Sequence, residues 1–388
     1  MAAVRGVEHS GGMTISDPDF VPGVELSGAL YEEAVRPILR DVFPGLRYTA
    51  ARVGSGSEVL GFDTARSADH EWGPRLELFL APADRDRYGA DIRLLLAERL
   101  PKRVRGWPTN FRRSDDPLDP VGRMLPTEGP VDHRVDVHEA GAWLSERLGL
   151  EWAGAVPADR EWLTVPQQRL AEVTGGAVFR DDLGVLTAAR GALAWYPEQV
   201  WRYLLACQWQ RISQEEAFVG RCAEVGDDLG SALVASRLVR DLMRLCLLLE
   251  RRYAPYGKWL GSAFGRLAVA ESLAPSLRGA LAATEYRVRE GHLGDAYEAV
   301  ARMQNAVGLT DPVDPGRRPY HSRPFLVLRA ERFARALART VTSPELRGLP
   351  LVGGVDQWAD STDLLGRPDA VQAMARSLGR GVPERAGQ

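Results

Sequence analysis

Strand-like stretches are confined to the first 150 residues of this 388-residue chain, and that confinement limits the folds open to it. Tyr48–Val53 is short and rich in strand formers, while Arg75–Leu80 (RLELFL) and Val131–His138 (VDHRVDVH) alternate polar and apolar residues, as half-buried strands do. Leu30, Tyr31, Val35, Leu39 and Val42 recur near a helical period and predict a helix over Ser27–Phe43; a second is predicted over Asp91–Leu100. Gly106–Pro130, crowded with Pro, Asp and Arg, reads as loop. From Trp162 on the texture is helical, in Val165–Val173, Leu186–Leu193, Pro197–Ile212, Gln214–Cys222, Leu229–Arg252 and Ala274–Glu290. No segment between Gly149 and Leu346 reads as a strand. Leu229, Leu233, Leu238, Leu242, Leu245 and Leu249 predict one apolar side of a bundle helix, a core stripe. The expected class is α+β: a small α/β domain with a mixed sheet, followed by an all-helical bundle domain. The expected boundaries are a loose leader at 1–26, the α/β domain at 27–150, the helical domain at 151–345 and a tail at 346–388.

Composition is that of an ordinary soluble protein, 45% hydrophobic and 26% charged, and a net charge of −3 provides no global field for nucleic acid or anionic membrane. Cys207, Cys222 and Cys246 are an odd set without a CxxC pair, so buried thiols are expected, not a disulfide framework or a zinc site. No apolar run reaches the ~20 residues that span a bilayer. The N-terminus lacks the layout of a signal peptide. The expected location is the cytoplasm. Abundant Ala, Arg and Gly point to a bacterial, GC-rich origin.

Gly54-Ser55-Gly56-Ser57 follows the first strand, and Asp69-His70-Glu71 follows the turn. Glycine lets a backbone approach a phosphate, and exposed N–H groups bind its oxygens. Asp69 and Glu71 project from one face of an extended segment and repel each other unless a cation lies between them. Asp136, in Arg134-Val135-Asp136-Val137-His138, is a third acid between β-branched residues, with Asp132 a competitor in the same strand. Three such carboxylates on neighbouring strands would hold Mg²⁺ against a triphosphate. Loop filler and solvated surface charge are the bland readings of the same residues.

In this order the elements resemble the nucleotidyltransferase superfamily that includes DNA polymerase β, kanamycin nucleotidyltransferase and the CCA-adding enzymes. Val53-Gly54-Ser55 is similar to its turn, Asp69-His70-Glu71 to its acid pair and Val135-Asp136-Val137 to its third acid; Gly56-Ser57 fits the turn equally well. The wording is similar to a bacterial branch, the domain of unknown function 4037 family, in Gly56-Ser57-Glu58, Gly61-Phe62-Asp63 and Asp69-His70-Glu71-Trp72-Gly73-Pro74. The helical half resembles it in Tyr196-Pro197, Gln208-Trp209, Gln214-Glu215-Glu216 and Tyr253-Ala254-Pro255-Tyr256, and the likeness spans most of 27–365. The resemblance implies Mg²⁺ on Asp69, Glu71 and Asp136 and an NTP, with ATP favoured, on Gly54, Ser55, Gly56 and Ser57. It also implies a helical-domain lysine on the triphosphate, for which Lys258 is the choice, and a helical-domain glutamate, Glu216 or Glu215, as general base. Gly73-Pro74 interrupts the strand beyond the acid pair, so either the metal loop is bent or Glu77 replaces Glu71.

Arg237, Arg240, Asp241 and Arg244 recur on one helix: Arg237–Asp241 is an i,i+4 ion pair, and Arg240 and Arg244 are like charges that a bound anion would relieve. Tyr256 or Trp259 would stack on a base or pack in the core. The six histidines lack HExxH spacing, the serines lack a nucleophile elbow, and no Walker lysine follows the turn, which argues against a zinc hydrolase, a triad enzyme and a P-loop ATPase. The expected function is transfer of a nucleoside monophosphate from an NTP to a hydroxyl of a small molecule. The alternatives are a non-catalytic nucleotide-binding regulator and a toxin–antitoxin-like enzyme that modifies protein or RNA. A polynucleotide acceptor is disfavoured by the low net charge.

Overall fold

Residues 18–68, 71–113, 122–152 and 154–379 are described by the computed structural model. Four strands form the main sheet: β1 (Tyr48–Arg52), β2 (Arg75–Leu80), β3 (Arg134–Glu139) and β4 (Ala177–Asp181), in the order β3-β2-β1-β4. β1 runs antiparallel to β2, with Tyr48 opposite Leu80 and Ala51 opposite Glu77, and antiparallel to β4. The two central strands are buried at every residue, whereas β3 and β4 are largely half-buried edges. With its many helices, the chain is of mixed α and β class with a small mixed sheet, as expected.

β4 corrects the expectation that no strand lies between Gly149 and Leu346, and the short ladder of Arg318–Pro319 with Leu326–Val327 corrects it again. β4 follows Gly175-Gly176. Gly176 has φ +62°, and a Cβ there would sit 1.9 Å from the Arg52 carbonyl oxygen. Only glycine lets the chain come alongside β1 at that point. The stretch read as loop, Gly106–Pro130, likewise enters two short ladders, Trp107–Pro108 with Arg103–Val104 just before it and Phe111–Arg113 with Gly122–Met124 inside it.

The chain divides into two compact units, each built from separate stretches. The first takes residues up to Leu46, Asp63–Leu76 and Ala90–Val135; the second takes Arg47–Phe62, Glu77–Gly89 and residues from Asp136 on. In the first unit a helical run over Gly23–Leu30 and Arg36–Val42 is widened by a π segment at Tyr31–Val35. Pro37 lies two residues beyond it; its ring supplies no N–H and crowds the carbonyl four residues back, within the π segment, which a wide turn relieves. Trp72 is buried here, stacked on Phe20 at 5.7 Å and edge-on to Trp107 at 4.8 Å. Its indole N–H donates to Asp63 (3.1 Å), which also accepts the Gly23 N–H (2.7 Å).

In the second unit Ala51, Val53 and Phe79 join one core with Trp143, Leu144 and Leu148 of the helix Ala140–Leu148 and with the long helices Glu198–Glu215, Asp228–Leu249 and Tyr286–Val307. Leu238, Leu242, Leu245 and Leu249 are buried, but Leu229 and Leu233 are 82% and 62% exposed, which corrects the single stripe. From Leu229 to Leu238 is about two and a half helical turns, so the first pair faces away from the rest. The helix expected over Ala274–Glu290 is two, Ala270–Ala282 and Tyr286–Val307. Among the described residues no helix is long and apolar enough to cross a membrane.

Candidate functional site

The turn that leaves β1 is built around a buried arginine. Arg52 has no exposed surface, and its guanidinium donates to the Val53 carbonyl (2.6 Å), the Ser55 carbonyl (2.5 Å) and the Glu58 carboxylate (2.5 Å). In a trans peptide the N–H opposes the C=O, so with these carbonyls drawn inward the Gly54 and Gly56 N–H groups point away from Arg52. Gly54 donates to the Glu172 carbonyl at 2.8 Å; the N–H groups of Ser55, Gly56 and Ser57 meet no acceptor among the described residues. Gly54 and Gly56 have φ of +87° and +144°, and a Cβ on Gly56 would lie 2.5 Å from the Glu58 carboxylate. Glycine is therefore required by the backbone and by the ion pair beneath it. The turn presents unsatisfied donors, the arrangement that binds an anion.

Besides Arg52, a second cation lies against the turn, one that the sequence pattern did not single out. The Arg147 guanidinium lies 3.6 Å from where a Gly54 Cβ would be, above the Trp143 ring (5.4 Å) and 3.9 Å from Glu172. Its Nε is buried and has no hydrogen-bond partner among the described residues. Arg147 follows Trp143 by four positions in Ala140–Leu148, a helical spacing that was legible; its closeness to a turn far away in the chain was not. Glu172 also pairs with Arg169 (2.8 Å) and lines a cavity of about 280 Å³ together with Arg240, Arg244, Tyr256 and Asp360.

Asp69 and His70 lie outside the described residues. Glu71 belongs to the first unit, where it acts as a clamp. Its N–H donates to the Gly122 carbonyl (2.9 Å), while its carboxylate accepts from Gly122 N–H (2.8 Å) and from Arg134 (2.6 Å). Burial pushes its pKa up, but the Gly122 hydrogen bond and Arg134 together outweigh that and hold it below the ordinary value. The backbone of Glu71 is left-handed, φ 51°, and Arg75 donates to its carbonyl at 2.7 Å. Both carboxylate oxygens are thus occupied. Glu77, the substitute ligand, is buried, with His138 Nε2 at 2.6 Å and Arg52 at 3.8 Å. Asp136 shares the face of β3 that carries His138, is half-buried, and has no side-chain partner among the described residues. Asp132 precedes β3. No cluster of three metal-ligating side chains is found among the described residues. Of the acids described, Asp136 fits a metal ligand and Glu71, in this pairing, does not.

In the helical half, Glu216 is buried and accepts N–H bonds from Leu328 (2.8 Å), Arg329 (3.2 Å) and Ala330 (2.9 Å). Burial raises its pKa to about 7 against these three hydrogen bonds. Such a carboxylate anchors the Leu326–Ala330 segment and does not face a substrate. Glu215 pairs with Arg237 (2.6 Å), and Asp241 pairs with Arg211 (2.9 Å), which corrects the expected Arg237–Asp241 pair. Arg240 is neutralised by Asp360, and Arg244 donates to the Asp356 carbonyl (2.7 Å), so acidic and backbone groups relieve the like charges. Lys258 is exposed, 5.0 Å above the Trp259 ring; Trp259 itself stacks on Phe62 at 5.3 Å.

The sequence model of a family described as "Domain of unknown function (DUF4037)" matches residues 162–260. A solved structure of a nucleotidyltransferase-like protein from Exiguobacterium sibiricum 255-15 aligns over 80% of this chain and 89% of that one, with 13% identity and a TM-score of 0.30. No curated protein sequence matches the chain.

Proposed function

We propose that the chain binds the triphosphate of a nucleotide on the Gly54–Ser57 turn and transfers the nucleoside monophosphate to a hydroxyl of a small molecule. The observation that carries this reading is the turn itself: three N–H groups without acceptors among the described residues, the Gly56 one turned away from the buried Arg52, with Arg147 beside the turn. Arg147, not the exposed Lys258, is then the cation that meets the phosphates. The cavity of about 280 Å³ next to Glu172 takes the body of the ligand, and the half-buried Tyr256 offers it a ring. In the transfer the acceptor oxygen bonds to the α-phosphorus, the bond to pyrophosphate breaks, and the hydroxyl proton leaves to a base other than Glu216. Mg²⁺, when bound, would neutralise charge on the phosphates, with Asp136 as its ligand in the second unit.

One observation favours a second reading, a binding-only protein: Glu71 is committed to Arg134 and Gly122. The test is incubation with Mg²⁺, each α-labelled NTP and a panel of small alcohols, following pyrophosphate release by the wild type, Asp69→Asn and Asp136→Asn. Transfer is expected in the wild type and loss of at least tenfold in both variants. Equal turnover by all three overturns the metal assignment; NTP binding without pyrophosphate release establishes the binding-only protein.

A further inference from the structure

A second, larger cavity of about 700 Å³ lies in the same unit, reaching the opposite side of the helix Gln167–Thr174 through Ala171 and Thr174. Four arginines line it, Arg190, Arg251, Arg252 and Arg266, against one carboxylate, Glu250. Around the neighbouring cavity Arg169 and Arg240 each have an acidic partner. Here none does among the described residues. Arg190 donates to the Val173 and Gly175 carbonyls, and Arg266 to those of Leu60 and Gly61 while lying 4.0 Å over the Phe62 ring. Arg251 lies 4.3 Å over Trp201. Arg252 has no side-chain partner among the described residues. Burial pulls the Arg190 guanidinium below the usual arginine range, as expected of a cation held without a counter-charge. The C-terminal dipole of Asp228–Leu249, which ends at this cavity, offsets about half of one charge. Several positive charges remain uncompensated. The other walls are apolar, from Val59, Leu60, Leu247 and Leu267.

We infer that this cavity is a binding site for a phosphate monoester carried on an apolar body. Guanidinium forks match phosphate oxygens, several forks call for a dianion, and the volume is that of a small-molecule site. The site stands independently of the nucleotidyl-transfer reading, because its ligand is measured without nucleotide.

The test is calorimetric titration of the full chain with 1-naphthyl phosphate, inorganic phosphate and 1-naphthol. The ester is expected to bind at least tenfold more tightly than either part. Arg252→Gln and Arg190→Gln should each weaken it about tenfold, whereas Arg278→Gln, on an exposed helix face, should leave it unchanged. If Arg190→Gln fails to fold, Arg252→Gln carries the test, since its side chain supports nothing in the structure. Absence of ester binding, equal affinity for inorganic phosphate, or equal weakening by Arg278→Gln overturns the site.

Discussion

Arg52 and Glu58 are both almost fully buried, and their charges face each other at 2.5 Å beneath the glycine turn. Removing one partner strands the other without water, which costs about 3–5 kcal/mol in comparable pairs. Arg52→Met should therefore lower stability by about that amount in urea denaturation and abolish nucleotide binding by releasing the Val53 and Ser55 carbonyls; a loss under about 1 kcal/mol contradicts the account. Glu216 makes a pH-dependent prediction. Its pKa is raised to about 7 in the fold, above the ordinary 4.5 that it regains on unfolding. Its protonated form is thus favoured by folding, so its stabilising contribution is complete below about pH 4.5 and is lost as pH rises through 7. Asp356, which burial raises to about 6, acts in the same direction. Glu216→Gln should flatten the fall in stability between pH 4.5 and 7, measured by denaturant midpoints; an unchanged slope contradicts it.

At the scale of elements, the two glycines before β4 and the two faces of Asp228–Leu249 are the sharpest cases. Gly176→Ala places a methyl against the Arg52 carbonyl in a left-handed backbone and should destabilise by more than about 1 kcal/mol, with loss of β4 amide protection in hydrogen exchange. Leu242→Ala should cost about 2–5 kcal/mol, whereas Leu229→Gln and Leu233→Gln should stay within about 0.5 kcal/mol; comparable losses at all three positions restore the single stripe. These elements also show what the sequence can reveal. β2 was legible because six residues declare their own strand, and most helices because their apolar periods are local. β4 was not: five residues between helices become a strand through pairing with β1, more than a hundred positions away. The stripe failed on the nine-residue step from Leu229 to Leu238, about two and a half turns that reverse the face. The glycine turn was legible as composition, while Arg147, Glu172 and the buried role of Glu216 depend on distant contacts that no local pattern encodes.

At the scale of the whole molecule, a chain of net charge −3 gathers positive charge locally in one unit: beside the turn, where Arg147 and Arg169 share the single carboxylate of Glu172, and in the larger arginine cavity. Near-neutral proteins that handle phosphates need such local fields, because no global one draws the ligand in. The proposed function stands or falls on whether the Gly54–Ser57 turn receives the triphosphate. The most direct measurement is an amide-detected NMR titration of the isotope-labelled chain with Mg²⁺ and a nonhydrolysable ATP analogue. Saturable shifts of the Ser55, Gly56 and Ser57 amides are expected, with the Leu229 and Leu233 amides unmoved. Binding that leaves the three turn amides unshifted, or no binding at all, would contradict it.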